Sequence, residues 1–422
     1  MTAEAGVSGD PDNRVAPAVR SKPRLLFLCQ SLPFPPDGGV HIRTYNTLRL
    51  LARDFEITAL CFFRASERAT SQQVERGVSG LTPFGQIEAF PIPQEHSRFR
   101  LLLDHLASVL TWRAYTVRAY ESREFRKRLR DLLSTRRFDL VHVDSLDLVT
   151  YLPMLNGLPV VCVHHNVESA LLQQRAATAG ALAGSYIRLQ AHLTRREEKR
   201  WCPRVALNVA VSANDRDSLH SIAPEGRFIV VPNGVDTQAF RPGSIERGGI
   251  VFVGGYSWQP NRDAMEYFCR DILPILRADG CDVDVTWVGR VPERARREYV
   301  QRYDVSLTGY VDDVRPIVQN AACYVVPLRL GGGTRLKILD AWAMGKAVVS
   351  TAVGCEGLDA RDGQNILIRD TAETFAEAVR WVLKDPVLRQ KLGNGARKTA
   401  TSVYDWEVIG KSMLAHYVSL TS

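Results

Sequence analysis

Short apolar runs recur along the chain, each closed by turn-forming residues and followed by a stretch of helical period. The first, residues 24–29 (RLLFLC), is continuous rather than alternating, which predicts a strand buried on both faces. Runs at 55–63, 139–144, 159–164, 205–211 and 228–231 extend the series, with helical patterns between them at about 41–53, 70–80, 99–111, 116–136 and 181–201. Residues 232–242 form a turn-rich bridge, and the polar, glycine-containing segment 244–249 is the best linker. The pattern then restarts: a strand at 249–253, a Gly254-Gly255 loop, a helix at about 261–277 and a strand at 283–288. The rhythm continues through 305–308, 312–320, 321–326, 334–344, 347–350, 365–368 and 371–384. Strand–helix alternation of this kind predicts two successive α/β domains with doubly wound parallel sheets. Their expected bounds are 23–240 and 241–402, after a disordered polar tail at 1–22. A last helical run at about 403–419 closes the chain, and periodicity alone leaves its docking open.

Composition narrows the class without naming it. A length of 422 residues calls for more than one domain, because one core rarely serves more than ~250–300 residues. The formal net charge of +8 permits anionic ligands or lipid headgroups and does not require nucleic acid. The eight cysteines lack CxxC spacing, and several fall inside strand-like runs. They read as reduced core residues in a cytoplasmic setting rather than disulfides or a zinc site. No apolar stretch is long enough for a membrane span, and the first 22 residues contain no signal-peptide core.

The segment 327–351 (PLRLGGGTRLKILDAWAMGKAVVST) holds the most chemistry. It reads strand end, glycine turn, helix, strand. Gly331, Gly332 and Gly333 allow the backbone to approach a ligand closely, and Thr334 is a suitable N-cap. Arg335 and Lys337 in the first helical turn oppose the helix dipole unless an anion sits there. Glycine turn, helix N-terminus and two cations together describe a phosphate or diphosphate site. Asp340, one turn deeper on the same face, is placed to accept from a sugar hydroxyl. A solvated helix with a glycine-rich start is the plain alternative. The position inside a strand–helix–strand unit favours the ligand.

Five motifs occur in order: Pro36-Asp-Gly-Gly39, His165-Asn-Val-Glu168, Pro232-Asn-Gly-Val-Asp236, Gly309-Tyr-Val-Asp-Asp313 and the Gly332–Lys346 segment. In this register the chain resembles the retaining GT-B glycosyltransferases of family 4, in a branch with a Gly-Gly-Gly-Thr-Arg-x-Lys motif, over residues 24–410. The resemblance implies two Rossmann-like domains facing across a cleft, the first on the acceptor side and the second on the donor side, with the 403–422 helix crossing back to the first. It implies a nucleoside-diphosphate sugar donor, a hydroxyl acceptor of unknown identity and neither cofactor nor metal. Arg335 and Lys337 then hold the diphosphate, Asp340 the ribose and His165 the donor sugar near the reacting carbon. Gly38, Gly39, Gly254, Gly255, Tyr310, Val311, Gly332, Gly333 and Thr334 complete the donor site.

Two features depart from that pattern. Gly332 stands where many members have the first Glu of an E-x7-E motif, and the second acid is the shorter Asp340. Many members also place Arg and Lys after the Gly254-Gly255 loop, where Arg262 is the nearest cation here. His164 adjoins His165, and strand-end neighbours point opposite ways, so either can face the cleft. A GT-B-like epimerase and a non-catalytic nucleotide-sugar binder are the rival readings. A dehydrogenase is disfavoured, since no GxGxxG follows either leading strand. Finally, residues 98–137 combine many Arg and Lys with an apolar run through Leu101, Leu106, Leu110 and Trp112. This fits either a solvated face over a core stripe or peripheral contact with an anionic membrane.

Overall fold

A computed structural model describes residues 22–64, 71–93, 98–243, 248–281, 283–331 and 335–421. Most of the linker 244–249 and all of Gly332, Gly333 and Thr334 lie outside them, as does the tail through residue 21.

The N-terminal sheet comprises β1 (Arg24–Cys29), β2 (Glu56–Phe63), β3 (Gln86–Pro91), β4 (Leu140–Val143), β5 (Val160–His164), β6 (Leu207–Ala210) and β7 (Phe228–Val230). All pairings are parallel, in the order β3-β2-β1-β4-β5-β6-β7. Its helices are α1 (Gly39–Leu51), α2 (Ser71–Ser79), α3 (Arg98–Thr111), α4 (Tyr115–Ala119), α5 (Arg123–Thr135), α6 (Glu168–Thr178), α7 (Ala181–Trp201) and α8 (Ala213–Ile222). Leu25, Phe27 and Cys29 face one core with α1, while Leu26 and Leu28 face another with α5 and α7. This two-sided burial is why β1 is continuously apolar.

The second sheet repeats the plan with β8 (Ile250–Val253), β9 (Val285–Val288), β10 (Ser306–Leu307), β11 (Cys323–Val326), β12 (Val348–Ser350) and β13 (Leu367–Ile368), ordered β10-β9-β8-β11-β12-β13 and again parallel. Around it lie α9 (Gln259–Tyr267), α10 (Leu273–Ala278), α11 (Glu293–Tyr303), α12 (Arg315–Asn320), α13 (Leu336–Ala343), α14 (Ala372–Lys384) and α15 (Pro386–Thr399). The helix expected over 261–277 is interrupted by a π-turn at Phe268–Ile272, and the pattern at 116–136 divides into α4 and α5.

The last helix, α16 (Trp406–Val418), leaves the second domain. Trp406, Ile409, Met413 and Tyr417 enter the same core as Leu48 and Leu51 of α1. Glu407 receives Arg49 at 3.0 Å and Arg53 at 2.5 Å. The eight cysteines are unpaired, and all but the half-buried Cys281 are buried. Among the described residues no helix is long and apolar enough to cross a membrane.

Candidate functional site

In each sheet the strand order reverses direction beside the first strand, between β1 and β4 and between β8 and β11. Open α/β sheets bind ligands beyond the strand ends at such a point. The loops found there carry Gly38-Gly39, Asp144, Gly254-Gly255 and the 327–331 segment.

On the C-terminal side, α13 starts at Leu336, with Arg335 as its extended N-cap and no capping side chain; Thr334, the expected cap, lies outside the described residues. Arg335 is buried, with its guanidinium carbon 5.3 Å from the centre of the Trp258 ring. Lys337 donates to Asn261 Oδ1 at 2.7 Å and lies 4.2 Å over the Phe252 ring. Burial, and then the Arg335 charge, hold the Lys337 ammonium well below its ordinary pKa. Burial likewise lowers Arg335, with Glu356 acting in the opposite direction. Two cations thus lie close together in a poorly solvated place.

Asn261 was invisible as a site residue in the sequence. Its Nδ2 donates to the Gly255 carbonyl at 3.0 Å while its Oδ1 takes the Lys337 proton. It thereby ties the β8 loop to the α13 cation. A Cβ on Gly254 would stand 2.6 Å from Asn261 Nδ2 and from the Phe252 ring, so only glycine fits. A polar residue opening α9 was the available signal, without any means to predict its partners. Arg262, by contrast, stacks over Tyr256.

Asp340 lies one turn along α13, and burial alone raises its carboxyl to about 7. Tyr310 is exposed, with the Arg290 guanidinium 4.6 Å over its ring, and Val311 packs on the C-terminal core. These two residues make no described contact with Arg335 or Lys337.

From the opposite side, Gly38 is the extended N-cap of α1 and Gly39 its first residue. A Cβ on Gly39 would stand 3.4 Å from Leu336 Cδ1, so the starts of α1 and α13 meet across the domain boundary. Neither helix has an acidic residue in its first turn.

The two histidines separate as strand geometry requires. His164 is buried against Asn208 Oδ1 at 2.9 Å, and burial lowers it to about 4. His165 Nε2 sits 3.5 Å from Asp144 Oδ2, at ion-pair distance without hydrogen-bond alignment. Asp144 also accepts from Thr44 Oγ1 at 2.7 Å and has His142 Nε2 at 3.5 Å from Oδ1. Burial would raise this carboxyl, but His165 and His142 together hold it well below the carboxylate range. His142 Nδ1 in turn meets the Tyr417 hydroxyl of α16 at 2.9 Å. At the start of α6, burial and then Asp147 raise Glu168 to about 7, and Glu168 accepts from Asn166 Nδ2 at 3.2 Å.

A cavity of about 670 Å³ lies between the domains. Asn166, Gln174 and Arg175 form one wall; Trp258, Gly331 and Glu356 belong to the other. Arg335, Lys337, Asp340 and His165 do not line it. Trp258 joins it to the cation pair, and Asn166 follows His165 directly. Glu356 brings a carboxylate into this cavity from the loop after β12, a contribution that no spacing motif announces.

Two parallel-sheet domains with ligand loops facing across a cleft define the GT-B fold. Residues 37–239 match the family Glycosyltransferase Family 4 and residues 247–385 match Glycosyl transferases group 1, so the chain carries the two domains of a GT-B glycosyltransferase. A stretch of 115 residues, 26% of this chain, is 32% identical to the lipopolysaccharide core biosynthesis glycosyltransferase LpsE of Rhizobium meliloti, covering 33% of that protein. Another, of 138 residues or 31% of the chain, is 22% identical to an uncharacterized 44.6 kDa protein in the cps region of Klebsiella pneumoniae, covering 36% of it. The matches thus span about a third of the length of these curated relatives. Sucrose-phosphate synthase from Thermosynechococcus elongatus superposes with a TM-score of 0.69 over 94% of this chain and 99% of that one, at 17% identity. Anabaena HepE, in complex with UDP-glucose, does so at 0.63 over 94% and 100%, at 13% identity. At these identities the likeness is one of fold.

Proposed function

We propose that the protein transfers a hexosyl group from a nucleoside-diphosphate sugar to a hydroxyl acceptor, with retention of configuration and without a metal, in polysaccharide or glycoconjugate biosynthesis. The observation that carries this reading is the crowding of Arg335 and Lys337 at the start of α13, opposite the start of α1. Two helix N-termini and two poorly solvated cations suit a diphosphate. The names of LpsE and of the HepE complexes with UDP and UDP-glucose support a nucleotide-sugar donor and a glycoconjugate product.

In this reading Arg335, Lys337 and the N–H groups of Gly38, Gly39, Gly333 and Thr334 bind the diphosphate. Asp340 accepts from the ribose, while Gly254 and Gly255 let the donor approach β8. Tyr310 and Val311 flank the base, and Gly332 leaves room beside the sugar. Glu356, entering from another loop, takes over a sugar hydroxyl in place of the Glu missing at 332. His165, held by Asp144, contacts the sugar near its anomeric carbon.

As the anomeric carbon–oxygen bond to the diphosphate breaks, the acceptor oxygen bonds to that carbon on the same face. The departing phosphate oxygen takes the acceptor's proton. Fixed cations and N–H dipoles stabilise the charge that accumulates on the diphosphate, typically the largest contribution in such a reaction. Eight unpaired cysteines support a reducing, cytoplasmic setting, on the inner side of a membrane if the acceptor is lipid-linked.

The test begins with thermal shifts against UDP-, GDP-, ADP- and dTDP-sugars, since a ligand of the folded state raises its stability. The stabilising donor is then incubated with and without candidate acceptors. Diphosphate release only with acceptor supports transfer; acceptor-free conversion of the sugar indicates an epimerase, and binding without turnover a binder. Full turnover by folded Arg335→Ala and Lys337→Ala variants would remove the basis of the proposal.

A further inference from the structure

Of the five sequence motifs, Pro232–Asp236 alone supplies no residue to the proposed donor site. It makes the passage between the domains. Val231 is buried in the N-terminal core and Val235 in the C-terminal core, so the crossing is confined to Pro232, Asn233 and Gly234. The chain returns over a shorter step, from Tyr404 in the C-terminal core to Trp406 in the N-terminal one, across Asp405. The two crossings are bonded to each other. The Val235 N–H donates to the Tyr404 carbonyl at 2.8 Å and the Trp406 N–H to the Val235 carbonyl at 3.3 Å, while the Thr237 hydroxyl donates to the Asp405 carboxylate. A Cβ on Gly234 would stand 2.6 Å from the Trp406 ring and 2.8 Å from Ile409 Cδ1, so only glycine permits this approach. The domains therefore turn about a small bonded unit, 232–235 with 404–406.

An arginine holds each side of this unit. On the N-terminal side, Arg43 of α1 is buried and donates from one terminal nitrogen to Asn233 Oδ1 at 3.0 Å and from the other to the Val231 carbonyl at 2.9 Å. On the C-terminal side, Arg397 of α15 donates to the carbonyls of Thr237 and Phe240, both at 3.0 Å, and to that of Ala343, the last residue of α13. The hinge is thus fastened to α1 and α13, the two helices whose first residues, Gly39 and Leu336, meet at the proposed diphosphate site. Arg43 is a costly fastening, because a charge is buried with it. Its two acceptors are neutral, its Nε has no partner among the described residues, and burial lowers its pKa to about 10 against the opposing pull of Asp144 and Tyr417. An apolar side chain would fill the space without that desolvation. What a guanidinium adds is a rigid fork that fixes two acceptors at once, one on each side of Pro232. The next residue, Thr44, donates to Asp144, which holds His165. One turn of α1 therefore joins the hinge to the histidine of the sugar side.

We infer that Arg43 is a positioning residue that sets the angle between the domains: its fork holds the hinge at Val231 and Asn233, and α1 carries that setting to the donor site. A rotation that draws α1 and α13 together over a ligand passes through 232–234, and the two Arg43 bonds fix where it stops. The consequence for sugar transfer rests on the glycosyltransferase reading. The hinge itself does not.

Amide hydrogen exchange of the full chain, without any ligand, tests the hinge. Asn233→Ala removes one Arg43 bond and leaves the guanidinium in place, while Arg43→Lys keeps the charge but cannot hold both acceptors in a fork. Both should speed exchange about tenfold in the segments that carry the Val235 and Trp406 amides, with β1 and β11 keeping wild-type protection. Transfer kinetics well below the melting temperature test the consequence. In both variants kcat should fall about tenfold and the donor KM rise with it, the joint change typical of hinge residues. Arg43→Met should lose more than Arg43→Lys. Unchanged exchange at 235 and 406 in folded Asn233→Ala overturns the proposal, and so does faster exchange there with unaltered kinetics. A uniform loss of protection with a lowered melting temperature also overturns it, since Arg43 would then be a purely structural residue. A wild type that transfers no sugar counts against the enzymatic reading instead, and the exchange pattern still decides the hinge.

Discussion

Gly39 and Leu336, the first residues of α1 and α13, touch across the two domains: a Cβ on Gly39 would lie 3.4 Å from Leu336 Cδ1. Each helix directs its unpaired N–H groups toward this junction. The contact sets how closely two positive helix ends approach, and hence the space left for a diphosphate. One methyl group fits at ordinary van der Waals distance. A branched or longer side chain does not. Gly39→Ala is therefore expected to keep the wild-type order of activity. Gly39→Leu should wedge the domains apart and lower kcat/KM for the donor by about 10²-fold, the scale of a 1 Å misplacement. Melting curves and steady-state kinetics of the pair check this; equal activity of both variants would separate the contact from catalysis.

Lys337 gives donor binding a pH dependence of definite sign. Burial and Arg335 depress its pKa in the free protein, and an incoming diphosphate must raise it again. Above the depressed value, binding takes up a proton. Affinity for the nucleotide-sugar is thus greatest below that pKa and falls as pH rises through it. Calorimetry in two buffers of different ionisation enthalpy should register proton uptake, and Lys337→Met should abolish it. A group whose folded pKa is lowered this way weakens the fold while charged. Lys337→Met should therefore melt about 1 kcal/mol more stable without ligand, while losing transfer activity.

Sequence patterning identified what depends on local runs. β1 and β5 are continuous apolar stretches because both faces are covered, and α7 follows its predicted bounds. β3 was not legible: an edge strand covered only in part has a mixed pattern, QIEAFP. α6 and α15 were passed over as well, their apolar positions being sparse between polar ones. The individual site positions came from motif register, but their couplings did not. Asn261 joins Lys337 to Gly255, and Tyr417 reaches His142, across 76 and 275 residues respectively. Such pairings are products of tertiary placement, which a one-dimensional period does not encode.

Asp340 should leave its mark on stability. Burial raises its pKa to about 7 from an ordinary value of 3.8, so between those limits the folded state holds a proton that the unfolded chain has lost. Its contribution is full below pH ~4 and is lost as pH rises toward ~7. Asp340→Asn cannot ionise and keeps the shape. Relative to wild type it should gain about 1–4 kcal/mol between those pH values. Urea unfolding at pH 4.5 and 7.5 reads the difference, and a pH-independent gap between the proteins would mean that Asp340 titrates normally.

The return helix α16 reaches the site through a chain of buried groups. The Tyr417 hydroxyl bonds His142 Nδ1 at 2.9 Å, His142 stacks on Phe27 at 3.9 Å, and its other nitrogen flanks Asp144, which sits 3.5 Å from His165. Arg43 lies in the same neighbourhood, donating to the Val231 carbonyl at 2.9 Å and to Asn233 Oδ1 at 3.0 Å. Tyr417→Phe preserves packing but leaves His142 with a buried unpartnered nitrogen, at a cost of about 1–3 kcal/mol. If α16 merely anchors the domain, kcat at a temperature well below melting should not change. If it positions His165, kcat should fall severalfold with KM for the donor nearly constant, since Arg335 and Lys337 are untouched. Asp144→Asn extends the test one link further: the neutral amide no longer holds His165 by charge, and the loss in kcat should exceed that of Tyr417→Phe. An unchanged kcat in both folded variants would confine the network to stability.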